Sequence, residues 1–276
     1  MQNIGIVGLG FVGGAIKHSF KKHFIIKSYD LDPKKCNVSD LKSLTKQCKF
    51  IFITLPTPMN IDGSCNLDNI EFVLKEINKN SDNNIVIIKS SIPPGTTQQF
   101  SNKYQNIDIA FSPEFLTERN ANQDFERQNR VIIGGESNIT AQVKSIFAKI
   151  FPLAEIRETD PTTAEMVKFT INCFLATKIS LFNELYQFCE RLDISYSDMV
   201  GLTLLDERIG ESHTAVPGWD DHFGFGGSCF PANVNIMISC AQELGIDAKM
   251  LKATWDKNME VRPEKDWEKL KGRCIK

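Results

Sequence analysis

The chain has 276 residues, 42% hydrophobic and 24% charged, with 32 Lys and Arg against 34 Asp and Glu. That balance belongs to a globular chain with enough material for one large or two modest cores. A formal net charge of −2 gives no long-range attraction to nucleic acid or to an anionic membrane. No apolar run approaches the roughly 20 residues that span a bilayer, so neither partner is expected. The opening MQNIGIVGLGFVGG lacks a basic segment and spaces its glycines regularly, which reads as a strand and a turn rather than an export signal. The eight cysteines (36, 48, 65, 173, 189, 229, 240 and 274) are scattered, form no CxxC pair and lie in no His/Cys cluster with zinc spacing. No metal is expected, and scattered thiols suit a reducing, cytoplasmic setting.

In chain order, strands are expected at Asn3–Val7, Ile25–Tyr29, Phe50–Leu55, Ile85–Ile88, Ile107–Ala110 and Val131–Gly134. Helical patterns lie between them, as at Asn69–Asn78 and Ile139–Ile150. Alternating helices and continuously apolar strands predict a parallel sheet covered on both faces. The pattern changes near Glu158. From Pro161 to about Leu192 no strong breaker occurs, and Met166, Phe169, Phe174, Leu175, Ile179, Phe182 and Leu185 recur at helical spacing. This predicts one helix of about 30 residues, roughly 45 Å long. Further helices are expected around Tyr196–Leu205, Asn233–Leu244 and Ala248–Asn258. The fold class is therefore α/β: a Rossmann-type parallel sheet over residues 1–158, then an all-helical domain over 159–276 with one long helix.

Gly8-Leu9-Gly10-Phe11-Val12-Gly13 follows the first strand and opens the first helix. In a dinucleotide turn the first glycine permits the bend, the second lets a pyrophosphate approach, and the third lets helix and strand pack closely. The second strand leads to Asp30, 22 residues beyond Gly8, where a carboxylate would accept hydrogen bonds from the adenosine ribose. A carboxylate there repels a 2′-phosphate, so NAD is expected rather than NADP. Asp32 lies beyond the strand end and reads as solvated.

Three later segments carry candidate chemistry. Ser112-Pro113-Glu114-Phe115-Leu116-Thr117-Glu118 follows the fifth strand, at the carboxyl edge where open α/β sheets bind ligands. Lys168 and Asn172 are four apart on the long helix and share a face, so two donors could meet one oxygen. Phe223-Gly224-Phe225-Gly226-Gly227-Ser228-Cys229-Phe230-Pro231 exposes backbone and places Cys229 immediately before a helix that Pro231 is expected to open. The dipole of that helix would favour the thiolate and make Cys229 a nucleophile.

Together with Thr54-Leu55-Pro56-Thr57-Pro58, Ser90-Ser91-Ile92-Pro93-Pro94-Gly95-Thr96-Thr97 and Asn183-Glu184, these segments resemble the UDP-glucose/GDP-mannose dehydrogenase family over nearly the whole chain. The chain looks most like the short, UDP-glucose-type members. The resemblance implies a four-electron oxidation of a sugar C6 alcohol to a carboxylate with two NAD+ and one water. It casts Cys229 as the nucleophile carrying a thiohemiacetal and then a thioester, and Lys168 and Asn172 as the pair stabilising the C6 oxyanion. Glu118 becomes the acid/base carboxylate, and Ser91 stands where the family usually has Thr and orients the water. Gly8, Gly10, Phe11, Val12, Gly13, Asp30, Pro56, Thr57, Ser91 and Glu118 would hold NAD. Glu114, Phe115, Leu116, Lys168, Asn172, Phe223, Gly224 and Gly226 would line the substrate site.

Departures from the family carry consequences. Ala232-Asn233 replaces the family's Lys-Asp, and Asn233 cannot accept a proton at neutral pH. Thr117 replaces an Arg. Full-size members carry a third domain that helps bind the nucleotide. Here those contacts are expected from the Leu205–His222 loop, the SPEFL segment or a second subunit. One face of the long helix is expected to pair in a homodimer. Three readings stand open: a UDP-glucose 6-dehydrogenase, a degenerate low-turnover protein that binds NAD and a nucleotide sugar, and a dehydrogenase of another nucleotide sugar or a two-electron type. The last of these would leave Cys229 without a role.

Overall fold

In the computed structural model all 276 residues are described. They divide into two compact units, residues 1–57 with 66–168, and residues 58–65 with 169–276. The change of unit, expected at residue 158, falls inside the long helix, between Lys168 and Phe169.

The first unit runs β1 (Asn3–Val7), α1 (Phe11–Phe20), β2 (Ile25–Tyr29), α2 (Leu41–Gln47), β3 (Phe50–Ile53), α3 (Asp68–Asn80) and β4 (Asn84–Ile88). It continues with α4 (Thr96–Lys103), β5 (Ile107–Phe111), α5 (Ala121–Glu126), β6 (Arg130–Gly134), α6 (Ser137–Ile150), β7 (Glu155–Thr159) and the first turns of α7 (Pro161–Leu192). The seven strands lie in the order β2-β1-β3-β4-β5-β6-β7. Alternation along each strand builds two cores. Ile85 and Ile87 face Ile16, Phe20, Val143 and Phe147 of α1 and α6, while Val86 and Ile88 face Ile70, Leu74, Ile77 and Phe100 of α3 and α4. Phe20, Phe52 and Phe147 pack edge to face with centroids 5.3, 5.9 and 6.1 Å apart, a geometry favoured by the ring quadrupoles.

The expected all-parallel sheet is corrected in one respect. β5 and β6 are antiparallel and share a single pairing, Phe111 with Gly134, whereas β6 and β7 run parallel over five residues. The last two strands therefore run against the first five. β7 was not expected, because as an edge strand with one neighbour it is largely exposed and reads Glu-Ile-Arg-Glu-Thr, without the apolar run of a buried strand.

The second unit holds the rest of α7, α8 (Tyr196–Thr203), α9 (Cys229–Glu243) and α10 (Lys249–Val261). One core gathers Met59, Phe169, Ala232, Ile236, Trp267 and Cys274. A second gathers Cys173, Ala176, Phe225 and Val234. Residues 58–65 join this unit through Met59, whose N–H donates to the Cys274 carbonyl at 2.8 Å and whose carbonyl accepts from Lys276 at 3.0 Å. No helix is long and apolar enough to cross a membrane.

Candidate active site

The glycine turn is shaped by backbone constraint. Gly8 has φ +87°, and a side chain on Gly13 would run into the Gly8 carbonyl, so both positions require glycine. Gly10 caps α1 without a side-chain hydrogen bond, and nothing lies within 4 Å of where its Cβ would be. The backbone is thus open to close approach by a diphosphate at a helix N-terminus. A cleft of about 620 Å³ adjoins it, and of the expected cofactor residues Gly10, Phe11 and Glu118 line it. Asp30 Oδ2 accepts from the Leu9 N–H at 2.5 Å and Oδ1 accepts from the Asp32 N–H at 2.9 Å, which fixes the carboxylate beside the turn. Asp32 is exposed and accepts from the Lys34 N–H at 3.0 Å. These features fit an NAD molecule. Two cations that the sequence does not single out also line the cleft: Lys35, which donates to the Leu9 carbonyl at 3.3 Å, and Arg119. The only signal was that both are cations flanking anionic-ligand segments.

Around the end of β4 and β5 the same unit concentrates buried charge. Lys168, 3% exposed, donates to the Glu114 carbonyl at 2.6 Å and to Glu114 Oε1 at 2.9 Å, and its ammonium lies 5.6 Å from the Phe115 ring centroid. Two of its three N–H bonds are thus used on Glu114. Lys89, 2% exposed, donates to the Pro113 carbonyl at 3.0 Å and the Ser112 hydroxyl at 3.3 Å. Burial pushes the Lys89 ammonium down to about 7; the Glu114 carboxylate opposes this shift and the Lys168 charge adds to it. Glu114 thus pairs directly with Lys168, while its charge also acts on the Lys89 ammonium. Glu165, fully buried, accepts from the N–H groups of Gly95 at 2.6 Å and Thr97 at 2.8 Å, anchoring α7 to the start of α4. Burial raises its carboxyl above the ordinary range, against the lowering effect of those hydrogen bonds. Thr57 donates to the Ser91 carbonyl at 2.7 Å; Pro56 beside it is exposed. Lys89 and Glu165 were not read from sequence as site residues. Leu116, half-buried, donates its N–H to Glu114 Oε2 at 2.9 Å. Thr117 is held by Asp124, which accepts from its N–H at 2.7 Å and its hydroxyl at 2.5 Å.

In the second unit Asn172 Nδ2 donates to Asn233 Oδ1 at 3.0 Å, and both are buried. The Asn233 amide oxygen is thus held against Asn172. Cys229 is exposed and is the first residue of α9, with Ser228 as the cap. The expectation that Pro231 opens the helix is corrected: Pro231 is the third residue. It is tolerated there because the first four N–H groups of a helix have no partner within it. Burial pushes Cys173 and Cys274 up to about 12, Cys48 to about 11, and Cys240 above its ordinary value. Phe223 is exposed, Gly224 is buried and Gly226 half-buried, and the Phe223 carbonyl and the Gly224 N–H are held by side chains rather than displayed openly.

Comparison with known proteins matches residues 28–151 to the UDP-glucose/GDP-mannose dehydrogenase family, NAD binding domain, and residues 162–260 to the central domain of the same family. UDP-glucose 6-dehydrogenase TuaD of Bacillus subtilis is 30% identical over 246 residues, covering 86% of this chain and 52% of that protein. UDP-glucose 6-dehydrogenase of Rickettsia conorii is 34% identical over 232 residues, covering 80% and 51% respectively. A UDP-glucose dehydrogenase structure from Pyrobaculum islandicum aligns with a TM-score of 0.84 at 25% identity, covering 99% of this chain and 71% of that one. The chain spans about half the length of these two curated relatives. With its glycine turn, its matched NAD-binding and central domains and its long helix in one order, the chain belongs to the UDP-glucose/GDP-mannose dehydrogenase family.

Proposed function

We propose that this chain oxidises the C6 alcohol of a nucleotide sugar, UDP-glucose being the first candidate, to a carboxylate through a covalent intermediate on Cys229. The observation that carries the reading is Cys229 itself, exposed at the first residue of α9, where the helix dipole favours a thiolate. The relatives' names supply the substrate. Bound NAD would accept the hydrides, two per sugar. Its adenosine half would be held by Asp30 and its diphosphate by the backbone of Gly8–Gly13, with Lys35 beside them.

Cys229 Sγ adds to the C6 aldehyde to form a thiohemiacetal; loss of the second hydride leaves a thioester, which one water hydrolyses to the acid and the returned thiol. Lys168 and Asn172 are the donors proposed for the C6 oxygen as its charge develops, since fixed donors aimed at developing charge supply much of catalysis. Burial of Lys168 against Glu114 holds its ammonium in one place before substrate arrives. Glu118 and Ser91 are proposed to manage the water, with Pro56 and Thr57 completing the cofactor edge. Glu114, Phe115, Leu116, Phe223, Gly224 and Gly226 are proposed to line the sugar site. Because Asn233 stands in place of a carboxylate, thioester hydrolysis is the step proposed to be slow.

The reading extends to a homodimer through α7. Phe174, Leu181 and Phe188 lie one heptad apart and are 65%, 51% and 59% exposed, an apolar stripe of the kind that pairs across a two-fold axis. The scattered spacing of the eight cysteines is the ground for proposing a cytoplasmic setting. The test is stoichiometric: NADH formed per UDP-glucose consumed. Two supports the proposal; one indicates a two-electron enzyme, and none a binding protein.

A further inference from the structure

The glycine-rich loop before Cys229 is held by side chains from outside it at Phe223, Gly224, Phe225 and Gly227. Asn183 Oδ1 accepts from the Gly224 N–H at 3.0 Å. Asn258 brackets Phe225, accepting from its N–H at 2.7 Å and donating to its carbonyl at 3.0 Å. Asp266 Oδ2 accepts from the Gly227 N–H at 2.9 Å. Arg262, 3% exposed, joins these contacts: its Nε donates to Asp266 Oδ1 at 2.7 Å, its Nη2 to Asp220 Oδ2 at 2.7 Å and its Nη1 to the Phe223 carbonyl at 3.3 Å. A side chain at Gly224 would overlap Asn258 Oδ1, and one at Gly226 would overlap the Arg262 guanidinium and the Asp266 carboxylate. The glycines are therefore required by the residues that grip the loop, in addition to any ligand.

We infer that Arg262 and Asp266, with Asn258, are positioning residues for the nucleophile: they fix the backbone from Phe223 to Gly227 and so set where α9 begins and where Cys229 is presented. A loop with three glycines in four residues is the most mobile kind of chain when nothing holds it. Here the Phe223 carbonyl, the Gly224 N–H, both backbone groups of Phe225 and the Gly227 N–H are each claimed by a buried or half-buried side chain. The planar guanidinium suits this task because it meets Asp220, Asp266 and the Phe223 carbonyl at once, which a lysine ammonium on its flexible stem does not do in fixed geometry. The inference rests on the reading of Cys229 as the nucleophile.

The test uses the full chain with Arg262→Met, Asp266→Asn and, in parallel, Cys229→Ser. Turnover of UDP-glucose, NAD affinity and thermal unfolding are measured for each. Displacing a reacting group by about 1 Å can cost about 100-fold in rate, so kcat should fall by about 10- to 100-fold in Asp266→Asn, and at least as far in Arg262→Met. NAD affinity should be unchanged, and the loss should far exceed any unfolded fraction. Iodoacetamide labelling, mapped by mass spectrometry, gives a readout independent of turnover: labelling slows several-fold at Cys229 while Cys240 at the far end of α9 keeps its rate. A folded Asp266→Asn with wild-type kcat and wild-type labelling overturns the inference alone, as does a kcat loss that merely tracks the unfolded fraction. Wild-type turnover by Cys229→Ser overturns the nucleophile reading and the inference that depends on it.

Discussion

Replacing Lys89 by Met removes a buried ammonium whose charged form burial disfavours, and the effect on stability should depend on pH. In the native chain this ammonium releases its proton near 7, against 10.5 ordinarily. The native chain therefore holds fewer protons than the unfolded chain across that window, and stability rises with pH between those values. The penalty is fully present below about 7 and disappears above the ordinary lysine value. At 1.36 kcal/mol per pH unit, the gap amounts to up to about 5 kcal/mol. Against this stands the loss of two hydrogen bonds, since Ser112 and Pro113 would keep acceptors without their donor; buried orphans cost about 1–3 kcal/mol each. The two effects are of similar size at low pH, so the sign of the change at pH 6 is not the informative quantity; its pH dependence is. Urea unfolding at intervals from pH 7 to 9 should show wild type gaining about 2 kcal/mol relative to Lys89→Met over that range. Parallel stability curves for the two proteins between pH 7 and 9 would show that the Lys89 ammonium keeps its proton on folding as it does in the unfolded chain.

Other expectations follow from the same geometry. Asp30→Ala should weaken NAD binding by about 1–3 kcal/mol, the scale of a charge-assisted hydrogen bond, and narrow the preference over NADP; unchanged NAD affinity by calorimetry would show that Asp30 does not hold the ribose. Cys229 should be the first of the eight cysteines to alkylate near neutral pH, because it is exposed at a helix N-terminus while burial raises the thiols of Cys48, Cys173, Cys240 and Cys274; peptide mapping that finds any other site labelled first counts against it. Asn233→Asp, ideally with Ala232→Lys, retains the oxygen that Asn172 contacts and adds a base. General acid–base help contributes about 100- to 10,000-fold, so the steady-state rate of NADH formation should rise; an unchanged rate would show that the carboxylate is dispensable.

Much of this molecule is legible in its sequence because its signals are local. The glycine turn, the apolar strands and the unbroken run from Pro161 to Leu192 each carry their structure within a few residues, and the structure forms each of them. Chain direction in the last two strands is not local: it turns on a single pairing between Phe111 and Gly134, with no residue pattern to announce it. Lys89 reads as the polar end of an apolar strand, and only the packing of Phe147, Ser112 and Pro113 around it makes it a buried charge. The grip of Asn183, Asn258, Arg262 and Asp266 on the glycine loop unites residues as far as 83 positions apart, so sequence shows the glycines but not what holds them. Pro231 suggested a helix start, and the helix begins two residues earlier, because proline is tolerated anywhere among the N–H groups that lack helical partners.

The covalent intermediate on Cys229 is open to direct detection by intact-protein mass spectrometry. The chain is mixed with UDP-glucose and NAD, quenched rapidly in acid and weighed, with peptide mapping to locate any adduct. A burst of NADH is expected, with a sugar-nucleotide adduct on Cys229 during the slow phase that follows and no adduct in Cys229→Ser. Constant turnover with no adduct at any time, or an adduct that persists in Cys229→Ser, would contradict a covalent intermediate on Cys229.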